Sequence, residues 1–408
     1  MLATFRRLRR RAALAVLALL AAAPAHATPP TPSPPWQGAA FEGDRAALEK
    51  LAAAGAHVVR VYREADAWVL DAAQTLGLRV VMGLSVGHPR HGFPLHDAGA
   101  LREQERAIRA FVARHRAHPA LLAWGIGNEV ETGEADPLPA WREINRLAGI
   151  VKALDPAHPT LMIVADGDLA RLQPLADCCA DVDLLGINVY AGAVFDLPQR
   201  LRAAGIAKPV VVSELGPLGQ WQAGRKPWGA PVEPTSSEKA AFFGDALAFL
   251  RKAPQIVGVL PFLWGAKQEQ TATWHGLLLA DGSLTAMTDT LSEAWGRQVD
   301  APAPRIRGIG IAADAFAPGA EISAGVVAAA FDGSPLRTEW TVLAEATDLR
   351  KGGDVEAAPP RVPVEVLHAD AAAMRFVAPS QPGAYRLFIT LRDGRGKAAT
   401  ANLPFVVR

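Results

Sequence analysis

The chain has 408 residues, half of them apolar and a fifth charged, with 42 basic side chains against 41 acidic ones and a formal net charge of +1. That length accommodates one large domain and a smaller one. The even balance excludes the one-sided basic footprint of a nucleic-acid binder and favours a partner that carries no charge. The only cysteines, Cys178 and Cys179, are neighbours. A ring closed between adjacent cysteines is strained and rare, so the expectation is plain packing with no disulfide framework and no metal site.

At the start, Arg6, Arg7, Arg9, Arg10 and Arg11 precede an apolar run, Ala12 to Ala23, and the small-x-small triplet Ala25-His26-Ala27. The run is too short to span a bilayer comfortably, and the order basic, apolar, small is that of a secretory signal. Residues 1–27 are therefore expected to be removed on export, leaving a periplasmic or extracellular protein with no membrane attachment. Residues 28–35 (TPPTPSPP) form a Pro-rich tether.

Between this tether and a second break at 299–305, apolar runs alternate with amphipathic ones. The expected strands are 57–62 (HVVRVY), 79–87, 121–129 (LLAWGIGNE), 161–166, 183–190 (DLLGINVY), 209–216 (PVVVSELG) and 257–264 (VGVLPFLW). Helical patterning is expected over 66–76, 98–115, 138–154, 168–175, 197–204, 235–252 (capped by Ser236 or Ser237) and 289–295. Continuous apolar strands suit a parallel sheet buried on both faces. No GxGxxG follows the first strand, which argues against a dinucleotide fold. The predicted fold is a (β/α)8 TIM barrel over residues 36–298, with its first strand in the weakly patterned 36–41 (WQGAAF). Residues 306–408 hold about seven short strands separated by Gly, Pro and Asp, the pattern of a C-terminal Ig-like β-sandwich.

In such a barrel, function gathers at the C-terminal strand ends. Arg60 and Tyr62 end the second strand and His88 follows the third. Asn128 and Glu129 end the fourth, Asp166 the fifth, Asn188 and Tyr190 the sixth, Glu214 the seventh and Trp264 the eighth. Two carboxylates across a barrel mouth suit glycoside hydrolysis, where one group protonates the leaving oxygen and the other attacks the anomeric carbon or activates water. Trp221, Trp228 and Trp274 lie in the loops after strands seven and eight, where rings can stack on sugar faces. Glu131 and Glu134 are expected at the surface.

The stretch WGIGNEVE, Trp124 to Glu131, resembles the fourth-strand Asn-Glu signature of the clan A retaining glycosidases. KPVVVSELG, Lys208 to Gly216, resembles their seventh-strand nucleophile segment. The likeness is nearest to the glycoside hydrolase family 2 catalytic barrel, with family 5 a near relative, and it covers roughly residues 36–298. It implies Glu129 as acid/base, Glu214 as nucleophile, Asn128 on the sugar 2-hydroxyl, Tyr190 and Arg60 on the nucleophile, and Trp264 as platform under the sugar. It implies a poly- or oligosaccharide substrate of the β-linked glucan type, and neither a cofactor nor a protein partner. Family 2 chains usually carry sandwich domains before the barrel, and their absence here favours an open cleft for a polymer. A transglycosylase using the same glutamates, or a non-catalytic sugar-binding barrel, stays open from the residues alone.

Overall fold

The computed structural model describes residues 35–350 and 353–408; the expected signal segment and nearly all of the Pro-rich tether lie outside the described residues. The chain opens with β1 (Trp36–Ala40), α1 (Arg45–Ala53), β2 (Val58–Arg60), α2 (Trp68–Leu76), β3 (Arg79–Leu84) and α3 (Ala98–His115). It continues with β4 (Leu121–Ile126), α4 (Leu138–Leu154), β5 (Thr160–Ala165), α5 (Leu169–Leu172), α6 (Leu175–Cys178), β6 (Leu184–Tyr190) and α7 (Leu197–Ala203). Then come β7 (Val210–Gly216), α8 (Ser236–Leu250), β8 (Ile256–Pro261), β9 (Leu284–Thr285) and α9 (Ala286–Ala294).

Strands β1 to β8 are parallel and close into a barrel in sequence order, β1 pairing with β8 through Trp36–Gly258 and Gln37–Val259. The poorly patterned first strand is real, held by pairing on both sides. The α1 helix, which the sequence reading passed over, follows it and is capped by Asp44, whose Oδ1 accepts from Ala47 N at 2.9 Å. Helix α8 is capped one residue earlier than expected, by Thr235 in a reciprocal capping box with Glu238.

Side chains alternate across each strand. One buried cluster takes a residue from every barrel strand, including Trp36, Val58, Val81, Ala123, Leu161, Leu184, Val211 and Leu260. Only the barrel interior brings all eight together. Their neighbours Val59, Met82, Trp124, Met162, Leu185 and Val212 belong to the larger core between strands and helices. This parity decides which polar strand-end residues face the mouth. Counting by twos from Val58 leads to Arg60 and Tyr62, and from Leu184 to Asn188 and Tyr190.

The remaining chain forms β10 (Arg305–Ile311), β11 (Ala315–Phe316), β12 (Glu321–Ala329), β13 (Arg337–Ala344), β14 (Val366–Ala369), β15 (Ala373–Val377), β16 (Gly383–Arg392) and β17 (Lys397–Val407). These make two sheets, β10-β12-β15-β14 and β11-β17-β16-β13, around a core that includes Ile322, Trp340, Phe376, Leu387 and Phe405. The unit is a β-sandwich. It is bonded to the barrel: β9 adds to β17 in parallel, Asn402 Nδ2 donates to Glu233 Oε2 at 2.6 Å, and Arg386 Nη2 donates to Pro231 O at 2.8 Å.

Two expectations are corrected. Cys178 and Cys179 are joined to each other by a disulfide. Glu131 is buried, not a surface charge, because its Oε1 accepts from Ala165 N at 2.9 Å behind the end of β5. Among the described residues, no helix is long and apolar enough to cross a membrane.

Candidate active site

The C-terminal ends of the strands surround a cleft of about 810 Å³ lined by Tyr62, Asn128, Glu129, Asn188, Tyr190, Glu214, Trp221 and Phe262, among others. Glu214 reaches it through an irregularity in β7. Val211 faces the barrel interior and Val212 the helices, so strict alternation would turn Glu214 toward the helices. The register slips by one residue on both sides of β7, between Ile187–Val212 and Asn188–Glu214 toward β6, and between Val212 and Leu215 toward β8. A bulge of this kind re-aims the following side chain, here into the mouth.

There the Glu214 carboxylate is held on several sides. Tyr62 Oη donates to Oε1 at 2.9 Å, Tyr190 Oη donates to Oε2 at 2.7 Å, and Arg60 Nη1 donates to Oε1 at 3.2 Å. Arg60 is itself buried and fixed by Ser213 O at 2.7 Å and by Asn128 Oδ1 at 2.6 Å, with its guanidinium 4.3 Å from the Tyr62 ring. Burial and the neighbouring Glu214 charge raise both tyrosines well above their ordinary range, so they remain phenols that donate. Gly216 makes room for this arrangement, since a Cβ there would lie 2.1 Å from Tyr190 Cε1.

Glu129 sits in a different environment. It lies just past β4 with φ of 48°, in the left-handed region, after Gly127 at φ of 67°. A non-glycine residue held there is strained, a cost often found where geometry serves a site. Its carboxyl accepts from Asn188 Nδ2 at 2.9 Å. Burial, then repulsion from Glu214, raises its pKa to about 7, outweighing the Asn188 hydrogen bond. Asn188 is fixed in turn, its Oδ1 accepting from Ser213 Oγ at 2.7 Å and its Nδ2 also donating to Asn128 Oδ1 at 3.0 Å. The Asn128 oxygen is thereby used twice and its amide nitrogen is left to donate elsewhere.

Of the other predicted residues, Trp221 lines the cleft and is about half exposed. Trp264 does not line it. Strand β8 ends at Pro261, so the alternation that leads from Leu260 to Phe262 does not continue. The Trp264 indole packs in the outer core near Trp295 and donates to Ala47 O at 2.9 Å, while Phe262 takes the position in the mouth. Trp274 is fully buried, its indole donating to Leu218 O at 2.8 Å, and so braces the loop after β7. Trp228 is half-buried and lies off the cleft. His88 is also off it, its ring 5.4 Å from that of His91, and its pKa falls to about 4 through burial and the nearby positive groups. Asp166 lines the cleft but is committed to a paired contact with Arg200, at 2.6 and 2.9 Å.

The sequence reading assigned no role to Tyr62 or Phe262, though both follow from strand parity. His275, in the loop after β8, has no strand-end cue. That side chain is buried beneath the cleft, 2.9 Å from Gln220 Oε1, with its ring 5.9 Å from Tyr190 and stacked 6.0 Å from Trp221. Burial lowers its pKa to about 4, so it acts as a neutral brace behind both.

Residues 56–217 match the family model described as glycosyl hydrolases family 2, TIM barrel domain. No curated protein sequence matches the chain. Among solved structures, the chain is similar to the β-D-glucuronidase of Dictyoglomus thermophilum, at 18% identity and a TM-score of 0.51, over 65% of this chain and 51% of that one. A β-glucuronidase 2 of Bacteroides uniformis matches at 17% identity and 0.50, over 92% and 46%. A GH5_18 protein of Bifidobacterium longum subsp. infantis matches at 17% identity and 0.50, over 66% and 80%. At such identities these structures establish the fold alone, and the chain spans about half the length of the two glucuronidases. Eight parallel strands close in order into a (β/α)8 barrel, and the stretch from β2 to β7 is similar to the TIM-barrel domain of the family 2 glycosyl hydrolases.

Proposed function

We propose that the protein is an O-glycosyl hydrolase that cleaves β-linked, glucan-type oligo- or polysaccharides by double displacement. The observation that carries this reading is the pair of glutamates sharing one cleft in opposite electrostatic settings. Glu214 accepts from two phenols and a guanidinium, whereas Glu129 has a pKa raised to about 7. Two carboxyl groups in such unlike settings suit the division of labour this chemistry needs, one attacking and the other giving a proton.

In the first step a Glu214 oxygen attacks the anomeric carbon. The bond to the leaving oxygen breaks as Glu129 gives that oxygen its proton, and a glycosyl ester forms on Glu214. In the second step Glu129, now a carboxylate, takes a proton from water whose oxygen attacks the same carbon and releases Glu214. A sugar hydroxyl in place of that water gives transglycosylation. The free Asn128 amide N–H is placed for the 2-hydroxyl, and Phe262 provides the apolar floor that the sequence reading gave to Trp264.

A neutral sugar is favoured by the cleft's charges. Of the cations that line the cleft, Arg63, Lys267 and Arg350 are each engaged by a carboxylate, Asp66, Glu269 and Asp348 respectively, while Arg225 donates to the backbone oxygens of Gly229 and Gln220. Acidic groups outnumber basic ones along the wall, so a uronate would meet repulsion. Residues 1–27 are proposed to direct export, and the catalytic unit to span 36–298, joined by 299–305 to the sandwich at 306–408.

Product release from β-glucans, β-mannan, xylan and aryl β-glucuronides, compared between wild type and Glu214→Gln, tests the reading. Release from a neutral glucan that vanishes in the variant supports it. Activity confined to glucuronides overturns the substrate class, and activity that survives the substitution overturns the nucleophile.

A further inference from the structure

The outer wall of the cleft does not come from the barrel. Leu349, Arg350, Gly353, Asp354, Val355 and Glu356, all from the connection between β13 and β14 of the sandwich, line the same cavity as Glu129 and Glu214. This connection is pinned to the barrel loops at several points. Asp354 Oδ1 accepts from Arg90 Nη2 at 3.3 Å, and its Oδ2 lies 2.9 Å from His91 Nε2. Gly353 O accepts from Lys267 Nζ at 2.9 Å. Glu356 is buried and accepts from Gln270 N at 2.6 Å and, on its other oxygen, from Arg350 N at 3.0 Å.

Beside these anchors two apolar side chains are left exposed, Leu349 at 54% just before Arg350 and Val355 at 90% between Asp354 and Glu356. Trp221, at 53%, stands exposed on the same cleft, supplied by the barrel. Large apolar side chains left in water on a segment tied down by ion pairs and a buried carboxylate leave apolar area for a ligand to cover. The Arg350 guanidinium, paired with Asp348 on the exposed side, adds donors suited to hydroxyl groups.

We propose that the sandwich contributes a distal sugar-binding subsite in which Leu349 and Val355 contact the C–H face of a neutral glycosyl unit and Arg350 bonds its hydroxyls. The C-terminal domain is then part of the substrate site and selects for chain length. This inference rests on the glycosidase reading, and it assigns to the sandwich a role that the catalytic pair does not require.

The test measures binding in the Glu214→Gln background, so that the probe is not consumed. Cellohexaose and laminarihexaose, with cellobiose and laminaribiose as short controls, are titrated by calorimetry into the full chain with and without Leu349→Ser and Val355→Ser. Both side chains are exposed, and an unchanged melting temperature verifies that the fold is kept. The expected result is that a hexaose binds at least about tenfold more tightly than its disaccharide, and that the double substitution removes most of this gain. Hexaose affinity unaffected by the substitutions, or no tighter than that of the disaccharide, overturns the subsite while leaving the glycosidase reading intact. Failure of every glucan to bind, with turnover found only on another polymer, overturns the glucan reading and the subsite with it.

Discussion

The ends of β4 and β7 face each other across one cleft and solve opposite problems. At β7, a bulge turns Glu214 into a ring of donors, two phenols and a guanidinium. At β4, backbone strain places Glu129 where it has a single amide donor, a desolvated setting and a carboxylate for a neighbour. The same residue type therefore sits in two different settings, because one strand end supplies three donors to the carboxylate and the other a single amide. Arg60 and Asn188 serve both ends, since Arg60 touches Glu214 and Asn128 while Asn188 touches Glu129 and Asn128.

Four measurements would break or sharpen this contrast. The largest effect is expected for Glu214→Gln, which removes the attacking oxygen and should lower kcat/KM on a glucan by about 10⁴-fold or more. A residual rate within tenfold of wild type would show that Glu214 is not the nucleophile. Next, Glu129→Gln should cost about 10²- to 10⁴-fold on sugar leaving groups but much less on an aryl glycoside whose phenol leaves without a proton. Equal losses on both substrates would remove the acid assignment.

A smaller effect concerns pH. Activity should fall on the alkaline side as Glu129 deprotonates near its value of about 7. Asn188→Ala removes the donor that favours the anion, so the alkaline limb should move upward. A limb that stays in place would mean that another group sets it. The smallest effect is on stability. Because the folded-state pKa of Glu129 is raised from 4.5 to about 7, its contribution to stability is full below 4.5 and is lost as pH rises through 7. Thermal melts of Glu129→Gln against wild type should therefore coincide near pH 4 and diverge above pH 7, with the variant higher by a few degrees.

Tyr62 and Trp264 mark where the sequence was readable and where it was not. Strand parity alone, counted from Val58, puts Tyr62 in the mouth, yet the motif that drew notice to the glutamates held no matching cue for it. Trp264 ends an apolar run and so reads as a strand-end platform, but the strand stops at Pro261 and the indole finds a carbonyl of α1 instead. Glu131 misleads for a related reason: one backbone N–H at the end of β5 makes its burial tolerable, and that partner is 34 residues away in sequence.

What the sequence determined by itself is whatever repeats locally. The alternation of strands and helices, the two Asn-Glu and Ser-Glu strand ends, and the break before the sandwich all depend on neighbours within a few residues, where periodicity and turn chemistry operate. What only the tertiary structure decided is whatever depends on registers and on packing between distant segments. The bulge that aims Glu214 and the choice of Phe262 over Trp264 are of this kind. So is the wall that the β13–β14 connection builds over the barrel, because each is fixed by hydrogen bonds between segments that no local pattern brings together.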